Sequence, residues 1–494
     1  MERLNRKVAA GKKTIKEYPV KVLQFGEGNF LRAFADLMLN MMNEKGAFGG
    51  SVAVVKPIPA GDLTKFRAQE GVYTVSLRGQ KDGEVRVENH IVTCISDTVD
   101  VVTEYERYAA YATCETLRFV ISNTTEAGIV YEEADSFADA PPKTYPAKLT
   151  KFLYERFLHF HGDKEKGLII LPCELIEDNG GILKECVKRY AKRWALGDAF
   201  DFWLEEGCCF CTTLVDRIVT GYPKDEFSAL WNNFGYEDRL LTTGELFGLW
   251  VIESPWEIAE ELPLAKAGLP VVFTKNQKPY RERKVRILNG AHTSFVLASY
   301  LAGNNFVGES MRDKTVRQFM EETLFTEIIP TLSLPREDCE QFARAVIERF
   351  ENPFIKHALL DISLNSVSKW KARCKDSLTG YMEKFGRLPV HLTFSLAALL
   401  SFYTSDTEAD GALLGTRGTD TYRIRDNAEV LAHFKKYSKG CVETFVQETL
   451  AKEAFWGEDM TRYTGLTEAV LLYLQQIKEA GMRAALEAVI HHEG

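Results

Sequence analysis

The strongest constraint on this chain is a change of texture near residue 284. Before it, short apolar runs alternate with amphipathic helical runs; after it, helical runs follow one another and strand-like runs nearly vanish. In the first part the pattern predicts strands at residues 21–25, 51–55, 73–77, 85–92, 117–122, 167–171 and 208–215. Helices are predicted at 30–43, 99–112, 148–159 and 182–194. The run at 51–55, Ser-Val-Ala-Val-Val, is almost wholly apolar, as a strand buried on both faces should be. Strands joined by crossover helices imply a parallel sheet covered on both sides. The second part predicts helices at 285–300, 316–325, 336–349, 392–402, 430–437, 441–451 and 466–487. Neither an internal repeat nor a flexible linker interrupts the chain.

Charge narrows the partners. With 61 Lys and Arg against 70 Asp and Glu the net charge is −9, the wrong sign for a dedicated nucleic-acid or anionic-membrane binder. No apolar stretch is long enough to suggest a membrane span, and the basic start leads into no secretory signal. A cytoplasmic protein, monomer or small homo-oligomer, is therefore expected. The ten cysteines then read as reduced thiols. Cys208, Cys209 and Cys211 contain one CxxC spacing, but no second ligand pair answers it, so a buried strand with small thiols is expected and no metal.

The first predicted strand runs into Gln24, Phe25, Gly26, Glu27, Gly28, Asn29, Phe30, Leu31 and Arg32, a GxG at a strand-to-helix turn. Glycines there permit a tight turn and close approach of a pyrophosphate. Leu31 replaces the third glycine of GxGxxG, so the turn alone also fits an ordinary connection; its place after the first strand and before an amphipathic helix favours a dinucleotide site. The expected fold is thus an α/β Rossmann-type doubly wound parallel sheet domain at 1–278, followed by an all-α C-terminal domain at 279–494. The second strand ends at Lys56, which faces either a 2′-phosphate or solvent and leaves NAD and NADP unresolved. After the strand at 117–122, Asn123, Thr124 and Thr125 either contact a cofactor or cap the next turn.

The chemistry is expected in the segment from Tyr280 to His292. At about 100° per residue Lys284, Asn289 and His292 fall at roughly 0°, 140° and 80° of a helix, on one side. That face offers a proton carrier, an amide donor for an oxyanion and an imidazole for a hydroxyl. A basic, solvated helix end with a satisfied histidine is the plainer alternative. HExxH, GxSxG and P-loop signatures are absent.

The Lys284-x4-Asn289-x2-His292 spacing resembles that of the polyol-specific long-chain dehydrogenase/reductase family, which includes mannitol 2-dehydrogenase and hexuronate reductases. The blocks QFGEGNFLRAF (24–34), SNTTEAGI (122–129), LPCELIEDNGG (171–181), TTLVDRI (212–218) and LDISLNSVSKWKAR (360–373) extend the likeness over most of the chain, and look most like the hexuronate members. The resemblance implies metal-independent, NAD-linked interconversion of D-tagaturonate and D-altronate. Lys284 would be the general acid/base, Asn289 the oxyanion donor and His292 a hydroxyl anchor. Fructuronate and mannitol are the neighbouring substrates within the family; a non-catalytic dinucleotide sensor is the rival from another class. Mannitol dehydrogenases carry a second oxyanion asparagine in a CDN block where this chain has Cys173-Glu174-Leu175, a departure that favours the uronate branch. A uronate carboxylate calls for cations, and Lys369, Lys371 and Arg373, with His357 and Asn365, are the candidates.

Overall fold

A computed structural model describes residues 1–125 and 127–491. The chain divides into two compact units, Met1–Gly79 with Val85–Gln277, and Gln80–Glu84 with Lys278–Gly494.

The first unit is built on six parallel strands, Val20–Phe25, Ser51–Lys56, Ile95–Asp100, Phe119–Ser122, Ile169–Pro172 and Cys209–Phe210. Numbered in chain order they lie as 3-2-1-4-5-6, the doubly wound arrangement in which strand order reverses beside the first strand. Successive side chains on a strand point to opposite faces, so each strand feeds two cores. Val22, Val52, Val54 and Ile121 pack on one face, and Leu23, Ala53, Val55 and Val120 on the other. Each buried Val, Leu or Ile among them stabilises the unit by about 1.5–3 kcal/mol.

Several sequence expectations are corrected here. The segment predicted as a helix at 99–112 begins as the strand Ile95–Asp100, and the helix is only Tyr105–Ala110. The helix predicted at 30–43 is two, Asn29–Ala33 and Ala35–Glu44, because Phe34 leaves helical geometry at φ −122°, ψ −83°. Tyr73–Lys81 and Glu84–Val92 stay out of the parallel sheet and join Val219–Gly221 and Thr242–Gly244 in a separate four-stranded one. The strand predicted at 208–215 breaks at Cys211: Cys209–Phe210 ends the parallel sheet, whereas Thr212–Asp216 pairs with Leu249–Glu253 in a three-stranded sheet.

The second unit is mostly helical. Its centre is Gly290–Leu301 packed against Val390–Tyr403, which in turn packs against Leu466–Ile490. Gly290–Leu301 is buried all round from Gly290 to Tyr300, as a central helix must be. The expectation of an all-helical region needs one addition, an antiparallel sheet of Glu408–Ala409, Ala412–Arg417 and Asp420–Ile424. Three helices carry π-turns, Lys284–Asn289, Thr323–Ile328 and Lys371–Lys375, and the first contacts both others. Among the described residues no helix is long and apolar enough to cross a membrane.

Candidate active site

In the first unit the two segments picked out by sequence meet where the strand order reverses. Gly26 follows the first strand at φ +117°, a conformation open to glycine, and a Cβ there would lie 2.9 Å from the carbonyl oxygen of Asn123. Asn123 N–H donates to Phe25 O (3.0 Å), and Gly26 N–H to Val55 O (3.0 Å). The crevice outside the carboxyl ends of the strands at this reversal is where doubly wound sheets take their ligands. Gly28 has open space around its Cα, which suits close approach of a pyrophosphate.

Side chains of the glycine segment divide into two sets. Gln24, Phe25, Leu31 and Arg32 turn inward. Gln24 donates to Gly26 O (3.1 Å) and to Asp36 (3.3 Å), Phe25 packs on Tyr145, and Arg32 is held by Leu240 O and Asn29 over the Tyr73 ring. These four side chains shape the turn. Glu27, Asn29 and Phe30 remain partly or fully accessible; burial raises the pKa of Glu27.

The loop after the fourth strand is fastened by a residue the sequence reading did not assign. Glu174 is 2% exposed, and its carboxylate accepts Thr124 N–H (2.9 Å), Thr124 Oγ1–H (2.9 Å) and Ser122 Oγ–H (3.1 Å). Burial raises its pKa despite those bonds. Asn123 Nδ2 donates to Cys173 O (2.8 Å), and Thr125 takes a left-handed φ of 75°, the kind of backbone strain found at functional turns. Glu126 of the same loop lies outside the described residues. Leu175, in place of an asparagine, is exposed.

Lys56 settles into neither of its expected surroundings. It is buried, and its ammonium donates to Ile58 O (2.8 Å) and Pro59 O (3.0 Å) and pairs with Asp100 (3.1 Å). Three acceptors saturate its three donors.

In the second unit Lys284 and Asn289 open and close the first π-turn, and both are half-buried. The π-turn changes the geometry assumed from a regular helix. Five residues at about 100° each would leave Asn289 about 140° from Lys284; a π-turn closes i on i+5 and narrows that angle. Arg286 anchors the turn, donating to Ser377 Oγ (2.9 Å), to Glu282 (2.6 Å) and to Thr331.

One turn further on, His292 is buried, stacked on Phe350 at 4.1 Å and edge-on to His357 at 5.4 Å. Its Nε2 has no hydrogen-bond partner among the described residues. Burial holds its pKa well below the usual value, reinforced by His357, Arg373, Arg349 and Lys369. The ring is therefore neutral at physiological pH. Lys369 and Arg373 are depressed chiefly by burial, and Arg373 also presses on Lys369. Arg373 donates to Thr293 Oγ1 (3.2 Å), Lys369 to Ile362 O (2.8 Å). The helix bearing Arg373 comes so close that a Cβ on Gly290 would sit 3.1 Å from Arg373 O.

Of the expected substrate residues, the structure gathers His357, Lys369 and Arg373 around His292 and adds Arg349, which the sequence reading passed over. Lys371 instead lies against Gly457, and Asn365 is exposed at a left-handed φ of 56°, its N–H given to Arg425 O. Three cationic side chains and a second imidazole thus lie about one neutral imidazole.

The model of the mannitol dehydrogenase Rossmann domain matches residues 20–266, and that of the mannitol dehydrogenase C-terminal domain matches 276–478. The chain belongs to the mannitol dehydrogenase family. It is an oxidoreductase family with relatives alike over their full length. An altronate oxidoreductase of Yersinia enterocolitica is 43% identical over 99% of this chain and 100% of its own. Altronate oxidoreductases of Pectobacterium carotovorum and Escherichia coli are each 44% identical, over 99% and 98% of this chain and 99% of their own. Among solved structures, substrate-free D-sorbitol dehydrogenase shares the fold at TM-score 0.80 and 21% identity, covering 98% of this chain and 100% of its own. A Pseudomonas fluorescens mannitol 2-dehydrogenase in a ternary complex with NAD and D-mannitol does so at TM-score 0.65 and 19% identity, covering 99% of each chain.

Proposed function

We propose that this member of the family is an NAD-dependent dehydrogenase that interconverts a six-carbon keto-uronate and its secondary alcohol, D-tagaturonate and D-altronate. The observation that carries the substrate class is the group of cations Arg349, Lys369 and Arg373, with the His357 imidazole, about neutral His292. A neutral polyol gives such a pocket nothing to neutralise, whereas a uronate carboxylate does. The names of the relatives agree with that choice.

The residues at the glycine turn fit a dinucleotide: Gly26 lets two connections approach, and Gly28 leaves space for phosphates. Saturated Lys56 has no donor left for a 2′-phosphate, which favours NAD over NADP. When bound, the nicotinamide supplies or accepts the hydride.

In reduction the Lys284 ammonium gives its proton to the substrate oxygen, and in oxidation the neutral amine takes that proton back. The Asn289 carboxamide, at the other end of the same π-turn, donates to the oxygen as it becomes negative. His292, uncharged and with Nε2 open, accepts or donates to a substrate hydroxyl. Arg373 and Lys369 receive the carboxylate. Loss of absorbance at 340 nm with NADH and tagaturonate tests the assignment; turnover on fructuronate or fructose with none on tagaturonate would overturn it.

A further inference from the structure

We propose that Cys209 and Cys211 form a redox-active dithiol that a hydroperoxide closes to an intrachain disulfide. Their sulfurs are 3.7 Å apart, buried at the last strand of the parallel sheet, where the chain breaks from one sheet to the next. Cys208 takes no part, because it packs in the core on the opposite face of the sheet from Cys209 and Cys211.

Cys209 is the attacking sulfur. The Cys211 S–H favours its thiolate above all; burial opposes, and Ser254 Oγ at 3.4 Å, the backbone at Trp256 and the Arg118 guanidinium add support. Arg118 is held over the Trp256 ring by Glu261 (2.6 Å). The same contact pushes the Cys211 thiol up and the Cys209 thiol down to about 7, so Cys209 ionises first while its neighbour keeps a proton. That pairing suits a peroxidatic and a resolving thiol.

The Cys209 thiolate attacks the peroxide, an S–O bond forms as O–O breaks, and the alkoxide or hydroxide leaves with the proton that Cys209 gave up on ionising. Cys211 sulfur then attacks the sulfenic sulfur; its own proton departs with the expelled hydroxide as water. Two thiols and one hydroperoxide become one disulfide, one alcohol or water, and one water. An extended i,i+2 pair spans roughly 6.6 Å between Cα atoms, at the upper edge of what a disulfide bridges. The bond is therefore strained and reducible by cellular thiols.

Closure reaches the proposed cofactor loop by contact. A Cβ on Gly180 would lie 2.1 Å from Cys211 O. Asn179, next to it, donates to Thr213 O (3.0 Å), Pro172 O (3.1 Å) and Glu174 O (3.0 Å), and Glu174 holds Thr124. Moving Cys211 pulls on that chain. This coupling rests on the cofactor reading; the thiol chemistry does not.

Reduced protein is treated with hydrogen peroxide, unfolded, alkylated and mapped by mass. The peptide spanning 208–211 should lose two hydrogens in a dithiothreitol-reversible way, with Cys208 still alkylated. In Cys211→Ala the product should be a dimedone-reactive sulfenic acid on Cys209. Should that variant not fold, one equivalent of phenylarsine oxide should protect the wild-type pair. Both thiols alkylated after exposed Cys441 is fully oxidised would overturn the proposal. In Cys441→Ser, disulfide formation should weaken NADH binding about tenfold; unchanged affinity with the disulfide present would overturn the coupling, and no NADH binding even when reduced would strike the cofactor reading instead.

Discussion

Glu174→Ala tests the cofactor loop most directly. The carboxylate takes three hydrogen bonds, two from Thr124 and one from fully buried Ser122. Truncation strands the Ser122 hydroxyl and the Thr124 amide; a buried donor without a partner costs about 1–3 kcal/mol. Thr124 is half-buried, so water recovers part of its share, and about 2–4 kcal/mol remains. Where that falls on loop order in the bound state, the NADH dissociation constant rises about 30- to 700-fold at 1.4 kcal/mol per decade; where it falls on the free protein, the melting temperature drops by a few degrees. Fluorescence titration with NADH and a thermal melt read both. Glu174→Gln keeps an acceptor for Thr124 and turns an amide donor toward Ser122. Because burial outweighs the hydrogen bonds in setting this residue's pKa, the neutral amide should match wild type or exceed it in stability. Wild-type affinity and melting in Glu174→Ala would refute the reasoning, as would Gln behaving like Ala.

Lys284→Ala should lower turnover by orders of magnitude while NADH affinity stays within about twofold, as loss of a proton carrier alone requires; steady-state rates beside a binding titration check it. Arg373→Leu should raise KM for tagaturonate about 10- to 100-fold, the worth of a charge-assisted bond, and leave any turnover of neutral ketoses nearly unchanged. Lys56→Ala should destabilise the protein without altering the ratio of NADH to NADPH affinity; a selective loss of NADPH binding would show that the ammonium does meet a phosphate. His391 sits between Glu327 (2.9 Å) and Glu322 (2.8 Å). Burial pulls its pKa down, but these carboxylates more than reverse that and leave it raised. Its contribution is thus full below the unfolded value near 6.5 and lost as pH rises through the folded value. His391→Gln should therefore lower the melting temperature at pH 5.5 by more than at pH 9, and equal losses would contradict the charge pairing.

The sheet was legible because its strands are short apolar runs with β-branched residues and its helices are amphipathic, signals that need no tertiary context. Phe34 was not, since nothing local marks a helix break there; Arg217 bonding the Ala33 carbonyl at 2.7 Å is a contact made across 184 residues. Strand Ile95–Asp100 hid inside a helical period because Asp97 and Asp100 dilute its apolar pattern. The hairpin turn at Asp410-Gly411, with left-handed backbone at both residues, carried a hairpin signal that went unread among helices. Of the candidate site, His357, Lys369 and Arg373 were reached by asking which cations and neighbours could meet a uronate carboxylate. Arg349 was not, because on Arg336–Phe350 it looks like one more charge on an amphipathic helix. Glu174 stood in a quoted block, yet only three converging donors reveal its work.

The wide coil at Lys284 amounts to one surplus residue in an otherwise regular rod. Excising it would give a straighter, better hydrogen-bonded helix and slide every side chain upstream of Asn289 around the axis, taking the amine away from the carboxamide. A shortened chain would thus gain firmness and forfeit chemistry. Selection for activity therefore has to hold in place an irregularity that selection for robustness would erase.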